Sequence, residues 1–423
     1  MTSTLKLVSF VLICVLGLSS FAQNKTKRDL DNFRPRDQRG INVFEEPKDT
    51  LTTFENLRVR IGGASTLQYQ SINHENSGSV DLVPLGDNFN LATANLDLDV
   101  QLYDGVRMHL RTYLSARHHP EAWVKGGYIL IDKLEFINEG FMENWMKYLT
   151  FKFGHMEINY GDAHFRRTDN AQAIYNPFVG NYLMDSFTTE VGFEAYYRRN
   201  GWLAMVGMTN GRLNQSPVET NTQASIVAKL GYDKQINDDF RFRLTGSLYH
   251  TGESSKNFLY DGDRAGSRYY LVLEEVGSSS QSQFRSGRVN PGFGTELTAI
   301  MINPFIRYKG WEFFGIYENS TGKGFGPNPP SRTYNHYAAD LLYRFGETED
   351  FYVGGRYSYV DGELTASDDI SVDRLQLGAG WFMTKNILAK LEYVNQTYSD
   401  FPTGDILNGG EFKGIMMEAV ISF

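Results

Sequence analysis

The stretch Glu411 to Phe423 alternates strictly, and that alternation limits what the chain can fold into. Ile415, Met417, Ala419, Ile421 and Phe423 fall on one side of an extended strand, and Gly414, Met416, Glu418, Val420 and Ser422 fall on the other. One side is wholly apolar and the stretch stops on an aromatic residue, with no polar tail to solvate it. A final strand of this kind is expected to pair with the first one, leave no open edge, and set its terminal ring at a membrane interface.

The same two-residue period recurs upstream with turn residues between the runs. It predicts strands at 57–68, 90–103, 106–117, 128–137, 147–160, 187–198, 202–209 and 224–235. Eight more are predicted at 240–250, 296–308, 311–319, 335–345, 350–360, 370–383, 387–398 and 412–423. Short turns at Asp104-Gly105, 138–146, Asn200-Gly201, 237–239, Lys309-Gly310, 346–349 and Thr384-Lys385 alternate with long connections such as 69–89, 161–186, 210–223, 251–295, 320–334 and 399–411. Short periplasmic turns and long extracellular loops produce this order, which a soluble sandwich has no reason to keep. The expected fold is therefore all-β, a transmembrane antiparallel barrel of about 16 strands over residues 57–423. In strand five the apolar set shifts from Leu149, Phe151 and Phe153 to Met156, Ile158 and Tyr160, which predicts a bulge at Gly154-His155.

The N-terminus agrees with an envelope protein. Lys6, the apolar run Leu7 to Leu18 and Ser20-Phe21-Ala22 read as a signal peptide over 1–22, removed before Gln23. Cys14, the single cysteine, lies within it, so thiol catalysis and thiolate metal sites are not expected. Removing Lys6 from the 41 basic residues leaves 40 against 50 acidic ones, a net charge of −10 that argues against nucleic acid as a partner. Residues 23–56 are polar and charged, with Arg34, Arg36 and Arg39 ahead of Glu45, Glu46 and Asp49. They read as a periplasmic extension, either flexible or folded against the barrel mouth.

Inward faces of the predicted strands carry both charges. Arg58, Arg60, Arg107, Arg111, Arg117, Arg241 and Arg243 face inward together with Asp97 and Asp99, and Arg198, Lys229, Arg307, Arg344, Arg356, Arg374 and Lys390 join them against Glu190, Glu194, Glu312, Glu318, Asp340, Glu392 and Glu418. Such a wall suits an aqueous pore that orients small polar solutes. Trp145, Trp202, Phe240, Trp311, Phe351, Trp381 and Phe423 gather where strands end, as interfacial girdles do.

Strand number, the long connection after strand five and the terminal Phe423 resemble the trimeric bacterial porins. The segments Asn303-Pro304-Phe305-Ile306-Arg307-Tyr308-Lys309-Gly310-Trp311 and Asn176-Pro177-Phe178-Val179-Gly180-Asn181 resemble porin-type barrels of Bacteroidota, which are distantly similar to the phosphate-selective porin O/P family. The resemblance implies an inserted third long loop, here 161–186, whose Asp162, Arg166, Arg167 and Asp169 would form the constriction. It also implies a homo-trimer or a subunit of a larger envelope complex, with lipid and lipopolysaccharide around it and Phe423 as the membrane-insertion signal.

Chemistry beyond transport finds little support. The eight histidines show no nucleophile motif, and the adjacent His118 and His119 would point to opposite faces of a strand, so neither an enzyme nor a metal site is expected. Asp261-Gly262-Asp263 lacks the remaining ligands of a calcium loop. The expected function is a passive outer-membrane diffusion channel for small hydrophilic, anion-leaning solutes, without a cofactor. The alternative is a non-conducting barrel acting as scaffold, adhesin or subunit. Within the loop 251–295, the alternation Arg268 to Val276 predicts a small extracellular hairpin.

Overall fold

Strand after strand, outward side chains are apolar and inward ones polar, and this closes the sheet on itself. The computed structural model describes residues 30, 32–49, 54–117, 121–168, 173–211, 223–254, 257–261, 266–365 and 368–423. The signal stretch 1–22, His118-His119, Asp169 and Gly262-Asp263 lie outside them. Sixteen strands are formed by the described residues: β1 (Arg58–Glu75), β2 (Asn88–Tyr103), β3 (Val106–Ser115), β4 (Trp123–Ile131), β5 (Leu149–Glu157), β6 (Thr189–Arg199), β7 (Trp202–Thr209) and β8 (Ser225–Gln235), then β9 (Phe240–Thr251), β10 (Glu296–Tyr308), β11 (Trp311–Lys323), β12 (Ser331–Phe345), β13 (Phe351–Glu363), β14 (Asp369–Thr384), β15 (Ile387–Ser399) and β16 (Glu411–Ser422). Each pairs antiparallel with its sequence neighbours, and β16 returns to β1 with Ala419 opposite Leu67 and Ile421 opposite Ser65. Phe423 completes the seam, its N–H donating to the Gly63 carbonyl and its carbonyl accepting from the Gly63 N–H, both at 3.0 Å.

The outer face is the membrane face. Val206 and Leu230 are each 60% exposed, whereas the adjacent Met205 and Lys229 are buried inside. Lipid replaces water as the solvent of the exposed apolar belt, and closure satisfies every backbone group at that depth. At the short-turn end, Tyr343, Phe345, Phe351 and Trp381 stack in sequence with centroids 5.6–6.1 Å apart. Asn200-Gly201 and Lys309-Gly310 both take positive φ, at 52° and 88° and at 47° and 83°. That pair of signs is what a tight hairpin turn needs to follow the strand twist.

Three local expectations fail. The fourth strand is Trp123–Ile131 and not 128–137. It stops because the buried Asp132 turns into the barrel mouth, accepting from Thr150 Oγ1 at 2.6 Å and forming an ion pair with Arg107 at 3.0 Å. Residues 132–148 then form a long turn with a short helix α1 (Glu143–Met146), whose Trp145 is exposed on the rim. No bulge interrupts β5, which pairs in unbroken register with both neighbours. The apolar set changes sides there because Met156, Ile158 and Tyr160 point inward into a packed interior. The hairpin at 268–276 is absent: Leu271 and Leu273 take positive φ (59° and 54°), and the segment bonds to the inward face of β1, leaving Leu82 opposite Glu275 as an isolated bridge.

Candidate functional site in the barrel lumen

A sixteen-strand cylinder is too wide for its own side chains to fill, and here three segments of the chain fill it. Of the described residues, 30 and 32–49 cross the short-turn end, 158–168 and 173–188 occupy the middle, and 252–254, 257–261 and 266–295 descend from the long-loop end.

The N-terminal segment is held by complementary charge. Arg36 meets Asp97 at 2.9 Å and Asp99 at 3.1 Å, while Glu45 meets Arg243 at 2.8 Å. Asn42 Nδ2 donates to Glu312 at 2.7 Å, and Lys48 reaches Asp132. Phe44 packs edge-on against Phe305 of β10 and Phe165 of the middle loop, at 5.3 and 5.8 Å. Burial alone would raise the Glu45 carboxyl, but Arg243 and Lys229 outweigh it and hold it well below the usual carboxylate range. Burial pushes the Arg34 guanidinium down, although it lies 3.7 Å from the centroid of the Tyr175 ring.

The middle loop is anchored at both motifs singled out in the sequence. Asn303 Oδ1 accepts the Asp162 N–H at 2.8 Å and its Nδ2 donates to the Gly315 carbonyl at 3.0 Å, fixing where the loop enters. Within Asn176-Pro177-Phe178-Val179-Gly180-Asn181, the Asn176 side chain caps its own turn by accepting from Phe178 N–H and donating to Gly180 O. The Val179 N–H donates to Glu392 at 2.7 Å, Tyr352 Oη donates to Pro177 O, and Arg356 lies 4.5 Å from the Phe178 ring centroid. Arg166 pairs with Glu312 at 2.7 Å, and Arg167 pairs with Asp185. Asp162 is chelated by Arg243 and Lys229, at 2.8 and 2.9 Å, which depress its carboxyl far below its ordinary value against the opposing effect of burial. Burial lowers His164, against the pull of Glu157.

The upper loop completes the packing. Arg268 pairs with Glu418 at 2.6 Å, Tyr269 Oη donates to Glu392 at 2.6 Å, and Tyr260 Oη donates to Glu318 at 2.7 Å. Arg117 donates to the carbonyls of Ser267, Ser280 and Gln283. Between these polar anchors lies a buried apolar cluster that includes Val179, Leu183, Val272, Leu297 and Phe314.

The inward residues expected from the sequence therefore divide. Arg60 pairs with Asp99 at 2.7 Å, Arg111 with Asp97 at 2.5 Å and Arg107 with Asp132, so they form a compensated network and not a bare basic ladder. Arg241 pairs with Asp233 at 2.7 Å, and Arg58 and Arg307 sit at the rim, partly exposed. A cavity of about 100 Å³ remains between the β3–β6 wall and the filling, walled by Arg111, Lys125, Lys152 and Arg198 on the barrel and by Glu45, Glu46 and Tyr175 from the inserted segments. That is room for several waters among polar partners.

The sequence reading missed the inserted role of Arg36, Phe44 and Glu45. Their signal was present: Leu30, Phe33 and Phe44 interleave the charges of this stretch, which a purely solvated extension would not need.

No family model and no curated protein matches the sequence. Solved structures match its fold. An anion-selective porin from Comamonas acidovorans superposes with a TM-score of 0.53 at 12% identity, covering 87% of this chain and 100% of that one. OprB of Pseudomonas putida gives 0.54 at 10% identity over 87% and 94% of the two chains, and the outer-membrane channel DcaP of Acinetobacter baumannii gives 0.53 at 9% over 88% and 99%. The chain has the fold of the bacterial outer-membrane barrels. Its apolar belt and aromatic rim place this barrel in the outer membrane, and its short turns lie at the same end as the N-terminal segment.

Proposed function

We propose that this outer-membrane barrel is a passive channel for small hydrophilic solutes, with a mild preference for anions. The observation that carries the reading is the charged cavity inside a lipid-facing cylinder, where Arg111, Lys125, Lys152 and Arg198 of the wall stand across from Glu45 and Glu46 of the inserted segment. Opposed charges a few ångströms apart orient dipolar solutes, and a cationic excess favours anions. The anion selectivity in the name of the Comamonas porin supports testing anions first. The motif likeness to Bacteroidota barrels makes inorganic phosphate the first anion to try. We propose a homo-trimer, supported by the trimer form of OmpT from Vibrio cholerae, which shares the fold at a TM-score of 0.52. Phe423, exposed beside the β1–β16 seam, is proposed as the insertion signal.

The test is conductance and reversal potential in a planar bilayer, comparing phosphate, chloride and a neutral sugar. Selective anion current supports the reading, and a cation-selective current would remove the anion preference. The apolar cluster inside the lumen favours a second reading, a non-conducting scaffold. Silence of a correctly folded sample in every solution, with or without residues 30–49 in place, would establish that reading instead.

A further inference from the structure

We infer that the periplasmic mouth is a binding site for the chain's own residues 30–49, and that this segment is a reversible plug. The inference rests on the channel reading for its consequence, though not for its geometry. The segment touches the wall around most of the mouth. Arg34 O accepts from Arg60 on β1, Asn32 Nδ2 donates to Gln101 on β2 at 2.8 Å, and Pro47 O accepts from Arg107 on β3 at 2.8 Å. Glu46 O accepts from Arg198 on β6, Asn42 O accepts from Arg241 on β9, and Arg36 O accepts from Ser422 on β16. Gln38 bonds to the turns after β12 and β14, through Thr348 O and Lys385 O.

Two features separate a plug from a piece of wall. First, the sheet closes β1 to β16 without it, and none of its described residues belongs to a strand, so withdrawal breaks no ladder. Side-chain anchors and single backbone bonds hold it, and each released group would meet periplasmic water. Second, clefts of about 320 and 420 Å³ flank it, one between Gln38–Asn42 and the Arg307–Glu349 rim, the other between Asn42–Glu45 and Trp202, Asp233 and Arg241. Its charges also match the mouth by sign, Arg36 on the Asp97–Asp99 side and Glu45 on the Arg243–Lys229 side. The plug supplies Phe33, Arg34, Arg36, Phe44, Glu45 and Glu46 to the cavity lining, so its departure would join that cavity to the periplasm.

The full-length chain can test this. The Gln38 N–H lies 2.8 Å from Lys385 O, which brings the two backbones side by side for a Gln38→Cys/Lys385→Cys staple, and the sole native cysteine, Cys14, is in the predicted signal peptide. Reducing the staple in a planar bilayer containing KCl is expected to raise the mean current, through openings that the stapled channel does not show. In a second form, a specific protease site is placed at the exposed Glu55-Asn56 and cut after folding. The freed N-terminal fragment is expected to dissociate on washing, and a synthetic 30–49 peptide added on the periplasmic side is expected to restore the block. Equal currents from stapled and reduced channels, or a cut fragment that stays bound at full stoichiometry, would overturn the plug. If the fragment dissociates and the barrel stays silent, the docking site stands and the channel reading falls.

Discussion

Glu392 ties the two inserted loops to the wall, and removing it should empty the middle of the lumen. It is buried on β15 and accepts from the Val179 N–H at 2.7 Å, the Gly180 N–H at 3.3 Å, Tyr269 Oη at 2.6 Å and Gln376 Nε2 at 2.9 Å. Glu392→Ala leaves these donors without their acceptor, and each buried unsatisfied group costs about 1–3 kcal/mol. Water entering the new polar space recovers part of that, so the net loss of docking is about 4 kcal/mol, on the order of a thousandfold in the docked-to-undocked ratio. Glu392→Gln keeps one acceptor oxygen and should lose roughly half as much. The assay is limited trypsin digestion of the barrel in vesicles, since Arg166, Arg167 and Arg268 are buried in the native chain and become cleavable once the loops leave. Single-channel conductance should rise in the same order, native below Gln below Ala. If Glu392→Ala shows native protease protection and native conductance, the loops are held by apolar packing alone and the reasoning fails.

Other perturbations probe the wall, the lipid face and the plug. Arg111→Gln strips one of the charges that pair with Asp97 and adds net negative charge beside the cavity; at about 8 Å in water this is worth about 0.5 kcal/mol, so anion permeability should fall and cation permeability rise roughly twofold each, read as a reversal-potential shift in a salt gradient. Leu230→Arg puts a charge in the middle of the apolar belt and should cost about 2–4 kcal/mol in urea unfolding from vesicles, whereas Leu230→Ile should be nearly neutral. Because Glu45 is depressed when docked, its contribution to plug binding is complete above its ordinary value of 4.5 and is lost as the pH falls through the lower docked value. Acidification below 4.5 should therefore raise the open fraction, and Glu45→Gln should be more open at neutral pH with a flatter acid response. An unchanged acid profile in Glu45→Gln would assign the titration to another group.

Period and turn chemistry are local properties, and they made the cylinder legible. A one-residue slip would turn every apolar side chain of a strand inward, so the alternation in β8 or β16 defines both the strand and its face. The reading weakened where the interior is not water. Leu203, Met205 and Met156 point inward and look misplaced for an aqueous pore, yet all three are buried, Leu203 and Met205 within the apolar cluster of the filled lumen. The Arg268 to Val276 alternation does not become a hairpin because its backbone bonds to side chains of β1, Gln68 donating to Arg268 O and Gln70 to Tyr270 O, in place of a second strand.

Charge pairing shows the same division. Asp97, Arg111 and Glu392 could be assigned inward from the period of two alone. Asp97 and Arg111 pair across one hairpin, but Arg36, which also meets Asp97, and Val179, which meets Glu392, lie far away along the chain and share no periodicity with them. What the order of residues determined by itself was a closed, lipid-clad cylinder with charge on its inside, since alternation and turn residues act over neighbouring positions. Only the tertiary structure decided that the cylinder is filled and by which segments, because a width set by sixteen strands creates a space whose occupants are chosen by long-range complementarity of charge and shape.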